Sequence, residues 1–190
     1  LVGLNTGFQG DVMVNNIPLE KKNLKTIRKN VGYVFQDADS QLFMSTVFDD
    51  VAFAPRNYGM SEAEVNEKTM EALKVVHIEQ LKDKQIYKLS GGEKKLASIA
   101  TILSTEPDVI LMDEPSVALD PKNRRNLINI LNQLNQAKII ASHDLNMIMD
   151  TCERTILLSD GKVIKDGNTK EILLDKELME KSGLELPLGY

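Results

Sequence analysis

Two adjacent carboxylates follow the most apolar run in the sequence. Val109 to Met112 is apolar at every position, which is typical of a parallel strand buried on both faces, and Asp113-Glu114-Pro115 comes directly after it. Open α/β sheets bind ligands at the carboxyl ends of their strands. One carboxylate at such an edge can hold Mg²⁺ through water, and the next can polarise an attacking water. A turn with a solvated charge pair would show the same residues, so this motif needs support from others.

A second stretch has the composition of a phosphate-binding helix start. Leu89-Ser90-Gly91-Gly92-Glu93 places a hydroxyl and two glycine amides where a helix over residues 91–104 is predicted to begin. Free N–H groups and the positive end of the helix dipole attract anions. A loop that ends in an ordinary N-cap residue is the alternative for this motif.

The elements that must position these residues follow from apolar spacing and from turn residues. Strand, helix and strand over residues 109–141 predict a right-handed βαβ unit. We therefore expect an α/β core with a helical insertion. The individual predictions are strands at Asp11–Ile17 (ended by Pro18), Val31–Phe35, Val109–Met112 and Lys138–Ala141, helices at Ser61–Val76, Gly91–Ser104, Pro121–Asn135 and Leu145–Arg154, and a hairpin of Ile156–Leu158 with Lys162–Ile164.

Composition limits the class of protein. The 190 residues suffice for one domain, and 42% apolar with 27% charged residues is ordinary for a globular chain. A net charge of −5 disfavours general nucleic-acid binding, which requires a basic face. Cys152 is the one cysteine, so an internal disulfide is excluded, and its place in a predicted helix favours core packing.

The order of the motifs resembles that of the ABC ATPase family over nearly the whole chain. Gln36 comes first, then LSGGE at 89–93, Asp113-Glu114, Asp120, and His143 within Ile-Ala-Ser-His-Asp. These positions match the Q-loop, signature, Walker B, D-loop and H-loop of that family. The resemblance implies an α/β fold with a P-loop NTPase-like ABC ATPase core, a parallel sheet and a helical subdomain. The implied division is a core of 1–40 with 104–170, a helical signature subdomain of 41–103, and a C-terminal extension of 171–190.

The resemblance also implies a role for each matching residue, with ATP and Mg²⁺ as cofactors. Asp113 would hold the Mg²⁺ shell, Gln36 would approach both the metal and the attacking water, and Glu114 would be the general base for water attack. His143 would contact the γ-phosphate, although a lone histidine at a strand end is more often structural. The residues expected on the nucleotide-binding side are Ser90, Gly91, Gly92 and Asp120, the last also shaping the contact between two subunits.

The sequence departs from the family pattern in three places. G-x-x-x-x-G-K-[ST] does not occur, and in the family it stands just upstream of the segment that residues 1–10 resemble. We therefore expect the 190-residue chain to be inactive and a P-loop-containing parent to hydrolyse ATP. Glu93 replaces the commoner Gln of the signature, and Leu96 stands where many relatives have Arg.

One branch of the family is the most similar. Residues 34–43, 46–47, 50–55 and 183–187 look like the energy-coupling-factor importers of vitamins or of cobalt and nickel ions. Residues 138–145 with 151–154 lean toward the metal-ion branch. The implied partners are a second ABC ATPase subunit, identical or not, and a transmembrane transporter subunit, with no nucleic acid. The implied location is the cytoplasmic face of the membrane.

The stretch from Asp37 to Phe53 is the expected docking surface. It holds four aspartates (Asp49 and Asp50 among them), no Lys or Arg, and three interleaved phenylalanines. An apolar groove with an acidic rim would suit basic helices of a membrane partner, while a solvated loop is the alternative. Two other classes remain open: a soluble ABC protein acting on nucleic acid or the ribosome, whose basic patch, tandem domains or coiled coil is not visible, and a non-catalytic fragment.

Overall fold

A computed structural model describes residues 2–3 and 7–189, and it confirms the α/β class. A three-stranded parallel sheet forms its centre, in the order β3, β4, β5, with Val34 opposite Met112 and Met112 opposite Ile140. The strands are β1 (Met13–Val14), β2 (Ile17–Pro18), β3 (Val31–Val34), β4 (Val109–Asp113), β5 (Ala137–Ala141), β6 (Arg154–Ser159) and β7 (Lys162–Asn168). The helices are α1 (Leu24–Asn30), α2 (Val47–Asn57), α3 (Glu62–Val75), α4 (Gly91–Leu103), α5 (Pro121–Gln133), α6 (Leu145–Thr151), α7 (Thr169–Leu173) and α8 (Lys176–Lys181).

The βαβ prediction is confirmed, because β4, α5 and β5 follow one another and the two strands pair in parallel. Pro121 occupies the first turn of α5, where its missing N–H costs nothing. β4 is buried at its centre as predicted. β5 forms too, but Ile139 is 54% exposed, since β5 is the last strand of this sheet among the described residues.

The prediction of one strand over Asp11–Ile17 is wrong. The chain forms a short hairpin instead, in which β1 pairs antiparallel with β2 and Pro18 lies in the second strand rather than after the first. Asn15 and Asn16 make the turn, with φ of 49° and 61°. Two-residue hairpin turns of this kind require positive φ at both central positions, and asparagine tolerates it.

The predicted helix at Leu145–Arg154 ends earlier than expected. Cys152 is extended, and Arg154 already belongs to β6, which pairs with β7 in the predicted hairpin. The helix predicted from Ser61 is confirmed at Glu62–Val75, with a complete capping box between Ser61 and Glu64.

Helices α2, α3 and α4 pack against one another, and α4 also contacts β3. Fully buried Val51, Leu73 and Ile99 join the three helices, and the same core continues through Met112 of β4 and Leu127 of α5. The helical part and the sheet therefore share one core, which fixes α4 relative to the strand ends. The division at 40/41, 103/104 and 170/171 stays a prediction.

Within residues 2–3 and 7–189, no helix combines the length and the apolarity that crossing a bilayer would require.

Candidate active site at the carboxyl edge of the sheet

The carboxyl ends of the three parallel strands bring four of the predicted residues to one edge. Gln36 follows β3, Asp113 ends β4 with Glu114 next to it, and His143 follows β5. The Glu114 amide donates to the Ala141 carbonyl at 2.8 Å, which extends the β4–β5 pairing by one residue. The register of the sheet therefore decides which side chains meet.

The Glu114 carboxylate accepts hydrogen bonds from the segment after β5. Ser142 Oγ donates to its Oε2 at 2.8 Å, and the His143 amide donates to Oε1 at 3.0 Å. Glu114 has φ of 43°, an uncommon conformation for a residue with a side chain, so the surrounding contacts must hold it there. The side chain is 20% exposed, which leaves it within reach of a bound water.

The His143 ring lies against the same carboxylate. Its Nδ1 is 2.8 Å from Glu114 Oε1, while three quarters of the side chain remains exposed. The hydrogen bond with Glu114 and its negative charge raise the pKa of His143 above the usual value. The contact therefore allows a proton to be shared between the imidazole and the carboxylate.

A half-buried ion pair between α5 and the start of α6 supports this segment. Arg124 of α5 donates to both oxygens of Asp144, at 2.6 and 2.7 Å, and Asp144 Oδ1 caps α6 by accepting from the Met147 amide. The hydrogen bonds from Arg124 lower the pKa of Asp144 to about 2. The Asp144 amide in turn donates to Ser142 Oγ at 3.1 Å, so Arg124 is linked to Glu114 through two residues.

Asp113 is the residue that fits a magnesium ion. It is partly exposed, and its carboxylate accepts from the Tyr33 hydroxyl at a long 3.3 Å. Burial, followed by the charge of Asp113, raises the pKa of Tyr33. Mg²⁺ prefers one or two carboxylates together with waters and phosphate oxygens, and the described residues contain no cluster of three acidic, histidine or cysteine side chains that would cage it. Asp113 and the exposed amide of Gln36 suit such a water-rich site.

The signature residues form a separate site at the start of α4. Ser90 caps this helix by accepting from the Glu93 amide, and the Glu93 carboxylate accepts from the Ser90 amide at 2.7 Å. Lys84 neutralises Glu93 at 3.0 and 3.2 Å. In the part of the chain that the structure describes, no hydrogen bond joins residues 90–92 to Glu114 or His143. The sequence predicted both sites, and the structure does not bring them together within one chain.

Asp120 is connected to the signature segment by Asn123, which contacts both. It caps α5 by accepting from the amides of Lys122 and Asn123, and the Asn123 side chain donates to it at 2.6 Å. Backbone hydrogen bonding, foremost from Asn123, lowers the pKa of Asp120. A β-carbon on Gly92 would lie 2.5 Å from Asn123 Nδ2, so this glycine permits the close approach of α4 and α5.

The expected acidic rim needs a correction at Asp50. This side chain is 3% exposed, and its carboxylate accepts from the amides of Phe43 and Met44 at 3.2 and 3.1 Å. Burial raises the pKa of Asp50, against the effect of these two hydrogen bonds. Asp50 therefore stabilises the loop before α2 and is unavailable to a partner. Asp49, 39% exposed, pairs with Arg56 at 3.6 Å.

The sequence did not predict four residues whose hydrogen bonds fix the site residues or the segments that carry them: Ser142, Arg124, Lys95 and Gln41. One signal for Lys95 was present. It shares the helical stripe of Ile99 and Leu103, both buried, so the spacing placed a lysine on an inward face. Ser142 and Arg124 carry no such signal, because their partners come from other elements.

A parallel sheet with this set of residues at its carboxyl edge, beside a helix that opens on Ser-Gly-Gly, defines an ABC-type ATPase. Residues 1–117 match the model of the ABC transporter family. The chain therefore belongs to the ABC transporter family, as an ATP-binding subunit.

Named relatives and a solved structure agree with this assignment. The chain is 48% identical to a Geobacter sulfurreducens protein provisionally named as an ABC transporter ATP-binding protein, over 95% of this chain and 73% of the relative. It is 40% identical to the energy-coupling factor transporter ATP-binding protein EcfA of Carboxydothermus hydrogenoformans, over 99% of this chain and 70% of that protein. It is also similar to the structure of cbiO1 from Clostridium perfringens, part of the ABC transporter complex cbiONQ, with a TM-score of 0.84 and 35% identity over 95% of this chain and 74% of that one.

Proposed function

We propose that this chain is the nucleotide-binding part of an ATP-driven membrane importer of the energy-coupling-factor type. The observation that carries the proposal is the Glu114 carboxylate, held by Ser142 and His143 at the strand edge that also presents Asp113. The names of the EcfA and cbiO1 relatives support the importer type.

In the proposed reaction, Glu114 accepts a proton from the water that attacks the γ-phosphate, and the His143 ring shares that proton through the 2.8 Å contact. Gln36 orients the water from the neighbouring strand end, and Asp113 is the carboxylate that would hold Mg²⁺. The metal, when bound, offsets the negative charge of the phosphates. The hydrogen bonds of Ser142 and His143 keep the base in one orientation, so little reorganisation remains at the moment of attack.

A second subunit completes the nucleotide site in this proposal. Ser90, Gly91 and Gly92 lie at the start of α4, apart from Glu114, and Ser90 and Gly91 are exposed. We propose that these residues face an ATP held by the P-loop of another ABC ATPase subunit, identical or not, with Asp120 near the contact. The exposed N–H groups of the helix start suit a γ-phosphate.

The other finer parts of the proposal follow from the resemblance and the relatives. A transmembrane subunit is the proposed membrane partner, and it holds this chain at the cytoplasmic face of the membrane. Cobalt or nickel ions are the proposed cargo, and a vitamin is the alternative. A soluble ABC protein acting on nucleic acid or the ribosome is the rival function, and the net charge of −5 disfavours it.

The substitution Glu114→Gln tests the catalytic part of the proposal. We use the term full-length parent for this chain preceded by a P-loop segment. In that protein Glu114→Gln should leave ATP binding within about twofold and reduce turnover by at least about 10²-fold, because only the base is lost. The measurements are equilibrium ATP binding and phosphate release.

Two further samples make the result decisive. Glu153→Gln serves as the control, since this acidic residue lies outside the proposed site, and it should keep parental turnover. The 190-residue chain alone, without the amides and Lys of a P-loop, should show no turnover. Hydrolysis by Glu114→Gln at the parental rate would show that another group is the base.

A further inference from the structure

A buried lysine on the signature helix binds the main chain of the proposed Q-loop. Lys95 of α4 is 3% exposed, and its Nζ donates to the carbonyls of Phe35 at 3.0 Å and Gln36 at 2.7 Å. In the described residues no carboxylate lies within ion-pair distance of this ammonium, although Asp37 and Asp113 act on it from farther away. Burying a charge without an ion-pair partner lowers the stability of the fold, so an apolar residue at this position would give a more stable protein. The lysine therefore needs a reason beyond packing.

A second side chain ties the same segment to the same helix. Gln41 Nε2 donates to the Ser98 carbonyl at 2.7 Å and to Thr101 Oγ1 at 2.8 Å, and its Oε1 accepts from the Phe35 amide at 3.1 Å. Residues 35–41 are thus held to α4 by a side chain of the helix, Lys95, and by a side chain of the segment itself, Gln41. The Gln36 side chain remains exposed at the strand edge while its backbone is fixed.

We propose that Lys95 is a positioning residue for Gln36. Through this contact, the position of the signature helix α4 determines the position of the end of the Q-loop that faces the magnesium and water site. The inference rests on the proposed function, because it takes Gln36 as the residue that serves that site. Lys95 acts through the Gln36 carbonyl and has no direct contact with substrate.

The geometry gives the coupling a physical route. Ser90 caps α4 and Lys95 lies five residues further along the same helix, about 7.5 Å at 1.5 Å per residue. A helix of this length moves as a rigid unit, so a shift at its phosphate-facing start also moves the ammonium. Hydrogen bonds from a charged donor are roughly twice as strong as neutral ones, so the two carbonyls follow.

The experiment uses the full-length parent and four variants: Lys95→Met, Lys95→Gln, Gln36→Ala and the double variant Lys95→Met with Gln36→Ala. Lys74→Met is the matched control, since this lysine of α3 is exposed and, among the described residues, its side chain makes no hydrogen bond or ion pair with residues 35–44. Hydrogen–deuterium exchange of the peptide spanning 35–44, without nucleotide or Mg²⁺, reports the tether. Mg²⁺ titrations of ATPase activity report the position of Gln36, and ATP binding in EDTA reports binding without the metal.

Because Lys95→Met loses a charged hydrogen bond, hydrogen–deuterium exchange in residues 35–44 should become at least about tenfold faster. The same variant should require about tenfold more Mg²⁺ for half-maximal activity. Its ATP binding in EDTA should change by no more than about twofold. Lys74→Met should stay within about twofold of the parent in all three measurements. The double variant should be no worse than Gln36→Ala in its Mg²⁺ requirement, because Lys95 acts through Gln36. Lys95→Gln keeps a neutral donor and should fall between parent and Lys95→Met; it carries the test if Lys95→Met does not fold.

Each contrary result has one meaning. Parental exchange and Mg²⁺ requirement in Lys95→Met, or additive effects in the double variant, would overturn the role of Lys95. A parental Mg²⁺ requirement in Gln36→Ala would instead overturn the proposed role of Gln36, and the exchange rates would still show whether Lys95 holds the segment.

Discussion

At the scale of single residues, the carboxylates of this chain serve two different purposes. Glu114 and Asp113 remain partly exposed at the strand edge. Asp50 and Asp144 use their oxygens within the fold, the first on two loop amides and the second on Arg124 and the start of α6. Residue type alone does not separate the two groups, because the difference lies in what each oxygen contacts.

The loop role of Asp50 gives the first prediction on stability. Asp50→Ala removes the carboxylate that accepts from the amides of Phe43 and Met44, and a hydrogen bond to a charged group contributes about 1.5–3 kcal/mol. We expect the free energy of unfolding to fall by about 2–4 kcal/mol in urea denaturation. Asp49→Ala removes a more exposed neighbour and should cost about 1 kcal/mol or less. Equal effects of the two substitutions would contradict the structural role of Asp50.

The ion pair of Asp144 predicts a pH dependence. The pKa of this carboxyl is about 2 in the folded chain and about 3.8 when unfolded, so its stabilising effect is present above pH 3.8 and is lost as pH falls toward 2. Asp144→Asn should lower the free energy of unfolding by up to about 2 kcal/mol at pH 7. The difference from the parent should shrink between pH 4 and 2, as followed by urea unfolding.

A more exposed bidentate pair, between Arg154 and Asp166, provides the control. Arg154 contacts Asp166 at 2.8 and 2.7 Å, but the two side chains are 71% and 40% exposed. Asp166→Asn should therefore change the free energy of unfolding by less than about 1 kcal/mol. A loss in Asp144→Asn that is the same at pH 7 and pH 2.5 would show that the charge of Asp144 does not provide the stability.

At the scale of elements, the packing of α4 on β3 decides where the signature lies relative to the strand ends. Gly32 of β3 faces α4, and a β-carbon there would fall 1.9 Å from Ile102 Cγ2 and 3.3 Å from Pro107 Cγ. The absent side chain lets helix and strand approach closely, which brings Lys95 within reach of the Phe35 and Gln36 carbonyls.

Gly32→Ala should therefore force α4 away from the sheet. Overpacking of a core typically costs about 1–3 kcal/mol, and we expect a loss of that size in the free energy of unfolding. The double variant Gly32→Ala with Ile102→Ala removes the clashing methyl group and should be more stable than the sum of the single effects predicts. Strictly additive losses in urea unfolding would mean that the two side chains do not compete for the same space.

At the scale of the whole molecule, the surface beside the Q-loop is aromatic more than acidic. A groove of about 340 Å³ lies between the loop before α2 and the segment before α4, and Phe43 and Tyr87 on its lining are 64% and 73% exposed. Phe43 is held edge-on against Phe53 with ring centroids 4.8 Å apart. Asp39 on the same lining is already paired with Lys94. Exposed aromatics of this kind are typical anchors of protein interfaces.

We therefore expect the aromatic side chains of this groove, and not the aspartates, to provide the docking contacts. In the full-length parent, Phe43→Ala with Tyr87→Ala should reduce co-purification with the proposed transmembrane subunit by at least about tenfold, because two anchor side chains are lost. ATPase activity of the isolated subunit should stay within about twofold. Val75→Ala, on an exposed position of α3, is the control and should bind as the parent does. Undiminished co-purification of the double variant would exclude this groove as the docking surface.

The sequence by itself determined the family, the α/β class and most of the elements around the site. Local signals sufficed for these: an unbroken apolar strand before Asp113, a Ser90 cap on a helix, Pro121 at a helix start, and the order of short motifs. Local signals also account for the hairpin that was missed, since Asn15 and Asn16 mark a turn by their tolerance of positive φ.

Only the tertiary structure decided which side chains touch across the chain. Ser142 and His143 reach Glu114 because β4 and β5 pair in one register, and Lys95 reaches Gln36 because Gly32 admits α4. Asp50 is buried although its neighbour Asp49 is half-exposed, since Asp50 lies on the side of α2 that faces the loop amides and Asp49 lies on the side that carries Arg56. Some of these contacts join residues that are far apart in sequence, and others depend on which side of an element faces inward. The spacing of residues along the chain is not sufficient to determine either one.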